Sequence, residues 1–457
     1  MTDNDTICAI ATATGGAIGI IRISGENSIR IVDSIFSPTG NSAKLSERKP
    51  YTLALGNITD NDGSLVDEVL VSIFHAPHSY TGENSVEISC HGSSYIINLV
   101  LRLLISHGCR LAEPGEFTRR AFMNGKMDLS QAEAVADLIS SSNRATHKMA
   151  VSQLKGHFSS ELGKLREQLL HMTSLLELEL DFSDHEELVF ADRSDLHALA
   201  VLIKERVTKL MKSFETGIAL KQGIPVTIVG NTNVGKSTLL NRLLHEEKAI
   251  VSNIHGTTRD FIEGTTIING ITFRFIDTAG IRKTDDTVEN IGIERTYKKI
   301  EEARIVLWLI DQEPTPEEFI NIQEKCKGKH LIIVRNKMDI KESPSININN
   351  KINIIDISAK EGTNISHLLD AIVGAANIPE FSENDVIVTS SRHYEALLHA
   401  SVSLTHVIEA MDLGLSGDLI AEDLHITLDY ISDITGGGRI TSQETLNNIF
   451  KNFCIGK

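Results

Sequence analysis

Residues 230–237 read Gly-Asn-Thr-Asn-Val-Gly-Lys-Ser, a GxxxxGK[ST] loop that directly follows the apolar run Ile224–Val229. A loop of this composition between a buried strand and a helix commits that part of the chain to an α/β sheet. Such a junction turns backbone N–H groups and a helix N-terminus toward one set of anionic oxygens. The pattern predicts a phosphate cradle built from Asn233, Val234, Gly235, Lys236, Ser237 and Thr238. Lys236 is placed to neutralise β- and γ-phosphates, and the Ser237 hydroxyl to complete a Mg²⁺ shell.

Three further elements follow in order. Asp277-Thr278-Ala279-Gly280 closes the β-rich run Ile271–Ile276, a DxxG pattern whose Asp holds Mg²⁺ through water and whose Gly N–H senses a γ-phosphate. Asn269-Gly270, before that run, predicts a tight hairpin on the edge of the sheet. Asn336-Lys337-Met338-Asp339 ends the apolar run Leu331–Arg335, and Ser358-Ala359-Lys360 follows Ile352–Ile357. This NKxD and SAK pair predicts guanine. The Asp339 carboxylate can accept from both N1–H and N2–H₂ of guanine, whereas adenine offers no matching donor pair.

The polar loop Ser252, Asn253, Ile254, His255, Gly256, Thr257, Thr258, Arg259 and Asp260 occupies the place of a first switch, with Thr258 as second Mg²⁺ ligand. Hydrolysis is less determined. Ras-like enzymes carry a water-orienting Gln directly after DxxG, but here the residue is Ile281. Either turnover is slow or another group serves. The following loop offers Arg282, Lys283, Asp285, Asp286 and Glu289.

At 457 residues the chain is too long for this one domain, and about three domains are expected. Hydrophobic residues make up 41 %, enough for sizeable cores, while a net charge of −17 disfavours a general polyanion binder. No run of about 18 apolar residues predicts a membrane span. The five cysteines (8, 90, 109, 326 and 454) have neither CxxC nor zinc spacing. With an acidic N-terminus lacking a signal-peptide n-region, they point to a reducing cytoplasm.

Residues 1–120 alternate short β-rich runs (Ile18–Ile23, Tyr51–Ile58, Glu68–Phe74, Ser85–Cys90) with turns and a helix-like Ser94–His107, an α+β pattern. Residues 121–216 become helical: Leu129, Ala132, Ala136 and Ile139, then Leu162, Leu165, Leu169, Met172 and Leu176, recur at threes and fours. Helical patterning returns within 380–457. The nucleotide domain, 217–379, is therefore expected as an insertion in one discontinuous helical domain, because the ends of such a domain lie close together. Asp181–Glu187 reads as a helix-to-loop boundary rather than a metal site, and Gly436–Gly438 as a flexible turn. The ending Phe453-Cys454-Ile455-Gly456-Lys457 does not suit prenylation and reads as a site element.

The inserted phosphate-loop domain, Gly256-Thr257-Thr258-Arg259-Asp260, Ile21-Arg22-Ile23-Ser24-Gly25 and the terminal pentapeptide together resemble the MnmE (TrmE) family of tRNA-modification GTPases, over essentially the whole chain. The resemblance implies a folate-binding-like N-terminal α+β domain, a discontinuous helical domain and an inserted Ras-like P-loop GTPase domain. It implies a homodimer formed through the N-terminal modules, which hold a 5-formyl- or 5,10-methylene-tetrahydrofolate donor. Arg22, Glu87 in Val-Glu-Ile-Ser-Cys-His-Gly, Lys126 in Asn-Gly-Lys-Met-Asp-Leu, and Lys457 would line that pocket.

It further implies K⁺ activation, with Asn233, Ser252, Ile254 and Thr257 as oxygen ligands and Glu289 orienting water. The implied partner is an FAD protein of the MnmG type. With it, an aminomethyl or carboxymethylaminomethyl group is added at C5 of the wobble uridine of certain tRNAs; the part Cys454 plays stays open. Asn231-Thr232 stands where many relatives carry Arg-Pro. The other reading is an RNA- or ribosome-assembly switch GTPase. It shares the nucleotide domain but would more usually carry an RNA module such as a KH-type GXXG loop.

Overall fold

The computed structural model describes residues 5–40, 43–181, 193–245, 264–276, 300–340, 354–379, 385–437, 449–451, 453 and 456. The chain separates into two compact units. One comprises residues 1–140, 153–204 and 396–457, and the other residues 141–152 and 205–395.

The first unit opens with β1 (Ile7–Ile10), β2 (Ile18–Ser24), α1 (Ser28–Ile35), β3 (Phe36–Pro38), β4 (Thr52–Thr59), β5 (Leu65–Phe74) and β6 (Ser85–His91). Then come α2 (Ser94–Ser106), β7 (Arg110–Leu111) and α3 (Glu116–Met123). The strands form one sheet in the order β3-β4-β5-β6-β2-β1-β7. Period-two alternation decides which face is covered. Val69, Val71 and Ile73 of β5 and Val86 and Ile88 of β6 are buried with Val32 of α1 and Ile97, Val100 and Leu104 of α2. On the alternate positions Leu53, Leu55 and Leu70 stay exposed, and Leu55 pairs with Leu70 across the strands.

The helices of this unit are α4 (Leu129–Ser140), α5 (Arg144–Leu154, only its end), α6 (His157–Asp181), the start of α7 (Arg193–Gln222), and two helices described below. Leu162, Leu165, Leu169, Met172 and Leu176 of α6 are all at most 1 % exposed, as their spacing predicts.

The second unit is a parallel sheet with one antiparallel edge. Its elements are β8 (Ile224–Val229), α8 (Lys236–His245), β9 (Gly264–Ile268), β10 (Ile271–Phe275), β11 (Ile305–Ile310), α9 (Pro316–Lys325), β12 (His330–Arg335), β13 (Ile354–Asp356) and α10 (Ile365–Ala376). The strand order is β13-β12-β11-β8-β10-β9. β11 is buried at all six positions, the continuous apolar pattern of a strand covered on both faces. Asn269 and Gly270 both adopt positive φ, +50° and +78°, so the expected tight hairpin joins β9 to β10. Asn143 Nδ2 donates to Thr272 Oγ1 at 2.7 Å, tying the approach to α5 to that hairpin.

The chain continues through α11 (Ser391–Asp412) and α12 (Gly417–Thr435). Leu424, Leu428 and Ile431 of α12 are buried, and Arg166 Nε of α6 donates to Ser432 Oγ of α12 at 3.3 Å. Gly436, expected in a flexible turn, is instead the stop of α12. It sits at φ +76°, Gly437 N–H donates to the Ser432 carbonyl at 3.1 Å, and a Cβ at 436 would come within 2.8 Å of the Phe122 ring. A helix-ending glycine and a loop glycine look alike in composition, which is why the sequence reading missed it. No helix among the described residues is long and apolar enough to cross a membrane.

Candidate functional site: strand ends that hold a nucleotide, and a pocket that receives the chain terminus

The loop after β8 is built by close backbone approach. Gly230 adopts φ +151°, and a Cβ there would overlap the Leu309 carbonyl; at Gly235, φ +100°, it would overlap the Asn336 amide. Asn233, exposed, takes φ +63° between them. Val234 is buried at 2 % exposure and pins the loop to the core below β8 and β11. Lys236 Nζ donates to the carbonyls of Gly230 and Asn231, each at 2.7 Å, so the ammonium lies across the loop. Ser237 and Thr238 complete the first turn of α8, whose backbone N–H groups have no partner within the helix.

The ends of β12 and β13 converge on the same rim, as expected for ligand sites at the carboxyl ends of parallel strands. Asp339 Oδ1 accepts from Ser358 Oγ at 2.8 Å. That hydroxyl, then nearby backbone and the charge of Lys360, hold the Asp339 carboxyl below its ordinary range. The group is therefore an ionised acceptor, the state a paired donor edge requires. Lys337, at φ +70°, pairs its Nζ with Asp311 Oδ2 at 2.8 Å. Asn336, the first residue of the NKxD element, joins two loops. Its Nδ2 donates to the Val234 carbonyl at 2.8 Å and its Oδ1 accepts from Ala359 N–H at 2.9 Å, so it brackets the phosphate loop to the 358–360 loop. Removing it would leave those buried groups unpaired, at a cost of about 1–3 kcal/mol each. Asp311 and Arg242, which grips Ala359 and Lys360, were not singled out from the sequence. Both act by salt bridge or main-chain contact and leave no motif.

In the first unit Arg22 Nε donates to Glu87 Oε1 at 2.9 Å, across the register pair Arg22–Glu87 of β2 and β6. The guanidinium lies 5.5 Å from the Tyr80 ring centroid and 5.7 Å from that of Phe117. Its Nη1 donates to the carbonyl of Gly456, 434 positions along the chain, at 3.2 Å. Gly456 has φ +96°, and a Cβ there would overlap the Ile10 carbonyl. Gly115, the αL residue before α3, carries Phe450 and Phe453 where its side chain would be, with a Cβ 2.8 Å from the Phe450 carbonyl. Thus two glycines seat the end of the chain against this pocket. Lys126 is exposed, and its Nζ donates to the Pro77 carbonyl at 3.0 Å, on the same segment that supplies Tyr80.

Helix α3 is locked below the pocket by a charged cluster. Glu116, 1 % exposed, pairs with Arg110 at 2.7 Å and Arg120 at 3.1 Å, while Asp5 pairs with the same two arginines at 2.6 and 2.7 Å. Burial alone would raise Glu116. The Arg110 bonds, the Glu113 N–H and the charge of Arg120 overcome it and leave the carboxyl below its ordinary range. Arg120 also reaches Glu83, which accepts from Ser24 Oγ at 2.7 Å.

Residues 129–454 match the family model of the MnmE helical domain, and residues 6–126 that of the GTP-binding protein TrmE N-terminus. The tRNA modification GTPase MnmE of Phocaeicola vulgatus is 53 % identical over 499 residues, with all of both chains covered. That of Bacteroides fragilis is 53 % identical over 468 residues, again over all of both. The chain belongs to the MnmE family of tRNA modification GTPases. The MnmE of Flavobacterium johnsoniae, 49 % identical over 471 residues, likewise covers both chains fully.

The resemblance seen in the motifs is thereby borne out, as is the α+β, helical and inserted α/β fold class. Among residues expected to act in an MnmE-type site, Ser252, Asn253, Ile254, His255, Gly256, Thr257, Thr258, Asp277, Thr278, Ala279, Gly280, Glu289, Cys454 and Lys457 lie outside the described residues. Among the described residues no group of three or more His, Cys, Asp or Glu could hold a metal. The donors present, the Ser237 hydroxyl and the Asn233 carboxamide, are hard oxygen ligands. They fit Mg²⁺ and K⁺ sites completed by phosphate and water oxygens.

Proposed function

We propose that this chain is a K⁺-activated GTP hydrolase of the cytoplasm that works on tRNA with an FAD protein of the MnmG type. It takes a one-carbon unit from 5-formyl- or 5,10-methylene-tetrahydrofolate. The pair installs an aminomethyl or carboxymethylaminomethyl group at C5 of the wobble uridine. The observation that carries this reading over an assembly switch is the Gly456 carbonyl on Arg22 beside Glu87. A switch that only gates association has no need to bring Gly456, with Phe450 and Phe453, to a charged pocket in the first domain.

The roles divide as follows. Asp339 accepts from the guanine edge, with Ser358, Ala359 and Lys360 alongside it and Asn336 holding the two loops in register. Lys236 turns from loop carbonyls to the β- and γ-phosphates. Ser237 and Thr258 would hold Mg²⁺, and Asn233, Ser252, Ile254 and Thr257 would hold K⁺. When bound, these ions supply fixed positive charge where negative charge develops in the transition state. Glu289 orients the attacking water, a task Ile281 cannot perform.

In the first domain, Glu87 offers two acceptors to a pterin edge, and Arg22, Lys126 and Lys457 offer cations to a glutamate tail. The open β4–β5 face, with Leu53, Leu55 and Leu70 exposed, supports a homodimer formed through this domain.

The test is direct. The purified chain is incubated with the flavoprotein, tRNA, GTP, 5,10-methylene-tetrahydrofolate and ammonium or glycine, and nucleosides from the digested tRNA are resolved by mass spectrometry. A GTP-dependent modified uridine is expected. Unmodified tRNA, with GTP still turned over, would favour the assembly-switch reading.

A further inference from the structure

The phosphate loop and the guanine-side loop are joined twice, and the second joint belongs to no nucleotide motif. Arg242 lies on the second turn of α8, the helix that starts at Lys236. Its guanidinium leaves that helix for the loop after β13. Nε donates to the Ala359 carbonyl at 3.3 Å and Nη2 to the Lys360 carbonyl at 2.5 Å. The loop is shaped to receive it. Gly362, at φ +85°, places the chain so that a Cβ would stand 3.5 Å from Arg242 Cζ.

The consequence is a closed circuit. Val234 of the phosphate loop is bonded to Asn336, Asn336 to Ala359, and Ala359 to Arg242, whose helix returns to the phosphate loop. Within that circuit Ser358 carries the hydroxyl that orients Asp339. An arginine suits the place because its planar fork addresses two adjacent carbonyls from one rigid group, which an ammonium cannot do.

We propose that Arg242 is a positioning residue for guanine recognition, holding the 359–360 backbone so that Ser358 keeps Asp339 in its accepting orientation. The proposal rests on the reading that residues 336–339 and 358–360 receive the base.

The experiment measures release of fluorescent GDP and IDP from the full chain, IDP lacking the 2-amino group that Asp339 would accept. Arg242→Met keeps the stem and removes the fork. It is expected to speed GDP release about tenfold, the loss of two charge-assisted bonds in a half-exposed site, and to shrink the preference for GDP over IDP about threefold. Arg242→Lys, able to reach one carbonyl, should fall between, and it keeps the question answerable if the Met variant does not fold.

GDP release within about twofold of the parent in both variants, or weaker binding with the GDP-to-IDP preference unchanged, would overturn the proposal. Asp339→Asn separates the two levels. If it leaves GDP affinity untouched, the guanine reading itself fails. If it abolishes GDP binding while Arg242→Met changes nothing, only the role of Arg242 fails.

Discussion

The rim of the nucleotide sheet and the pocket around Arg22 are both charged sites at the ends or faces of sheets, yet they are assembled in opposite ways. On the rim each contributor follows a strand directly, and short-range backbone geometry sets its place: Gly230 and Gly235 at positive φ, Lys337 at φ +70°, Ser358 after β13. In the pocket the partners are remote. Arg22 meets Glu87 across 65 positions and Gly456 across 434. Local assembly makes a site that recurs as a motif, while remote assembly makes one that depends on the whole unit being folded. Damage should therefore spread differently in the two places.

The largest expected effect is local. Asp339→Asn places a donor where an acceptor met guanine, so GTP affinity should fall by about three orders of magnitude and xanthosine triphosphate should become the better ligand. Fluorescent-nucleotide titration measures this, and unchanged GTP affinity would remove Asp339 from the site.

The remote pocket should respond through stability instead. Glu116→Gln leaves Arg110 and Arg120 facing a neutral amide, and about 3 kcal/mol of stability should be lost. The pH dependence has a definite sign. The folded-state pKa of Glu116 lies below its unfolded value, so its contribution is present above about pH 4.5 and disappears as pH falls through the folded value. Thermal unfolding of parent and variant should therefore converge only once pH has fallen below that folded value. A gap that persists there would show that the charge is not responsible.

Gly115→Ala is the smaller and more selective test. A methyl group at φ +68° must displace Phe450 and Phe453, and the strain of about 1 kcal/mol should unseat the terminal segment from Arg22. Affinity for 5-formyl-tetrahydrofolate should drop about fivefold, while GTP affinity stays within about twofold, which isothermal titration can resolve. Equal losses for both ligands would mean that the variant is simply less well folded.

The same contrast explains what is legible in the amino-acid sequence. The phosphate loop, the NKxD and SAK elements and the Asn269-Gly270 hairpin were legible because each demands particular residue types over a few positions. The leucine row of α6 was legible through its period. Asn336 was legible as part of NKxD, and its bracketing role emerges only with the two loops it joins. Arg242 and Asp311 act on groups that any sequence could supply. Gly115 stands where a Ser, Thr or Asp would ordinarily cap a helix, and only the aromatic pair from the far end of the chain accounts for it. Arg22 and Glu87 were found through the family resemblance, since as isolated charges they are ordinary.

Under the proposed reading, a guanine-specific hydrolase replaces the missing glutamine with a potassium site at Asn233. The most direct test is steady-state GTP turnover by the full chain in matched potassium and sodium buffers, for the parent and Asn233→Ala. The parent should turn over GTP about tenfold or more faster in potassium, and the variant should bind GTP but lose that difference. Equal rates in the two salts for the parent, or the same potassium stimulation in the variant, would contradict a potassium site at Asn233.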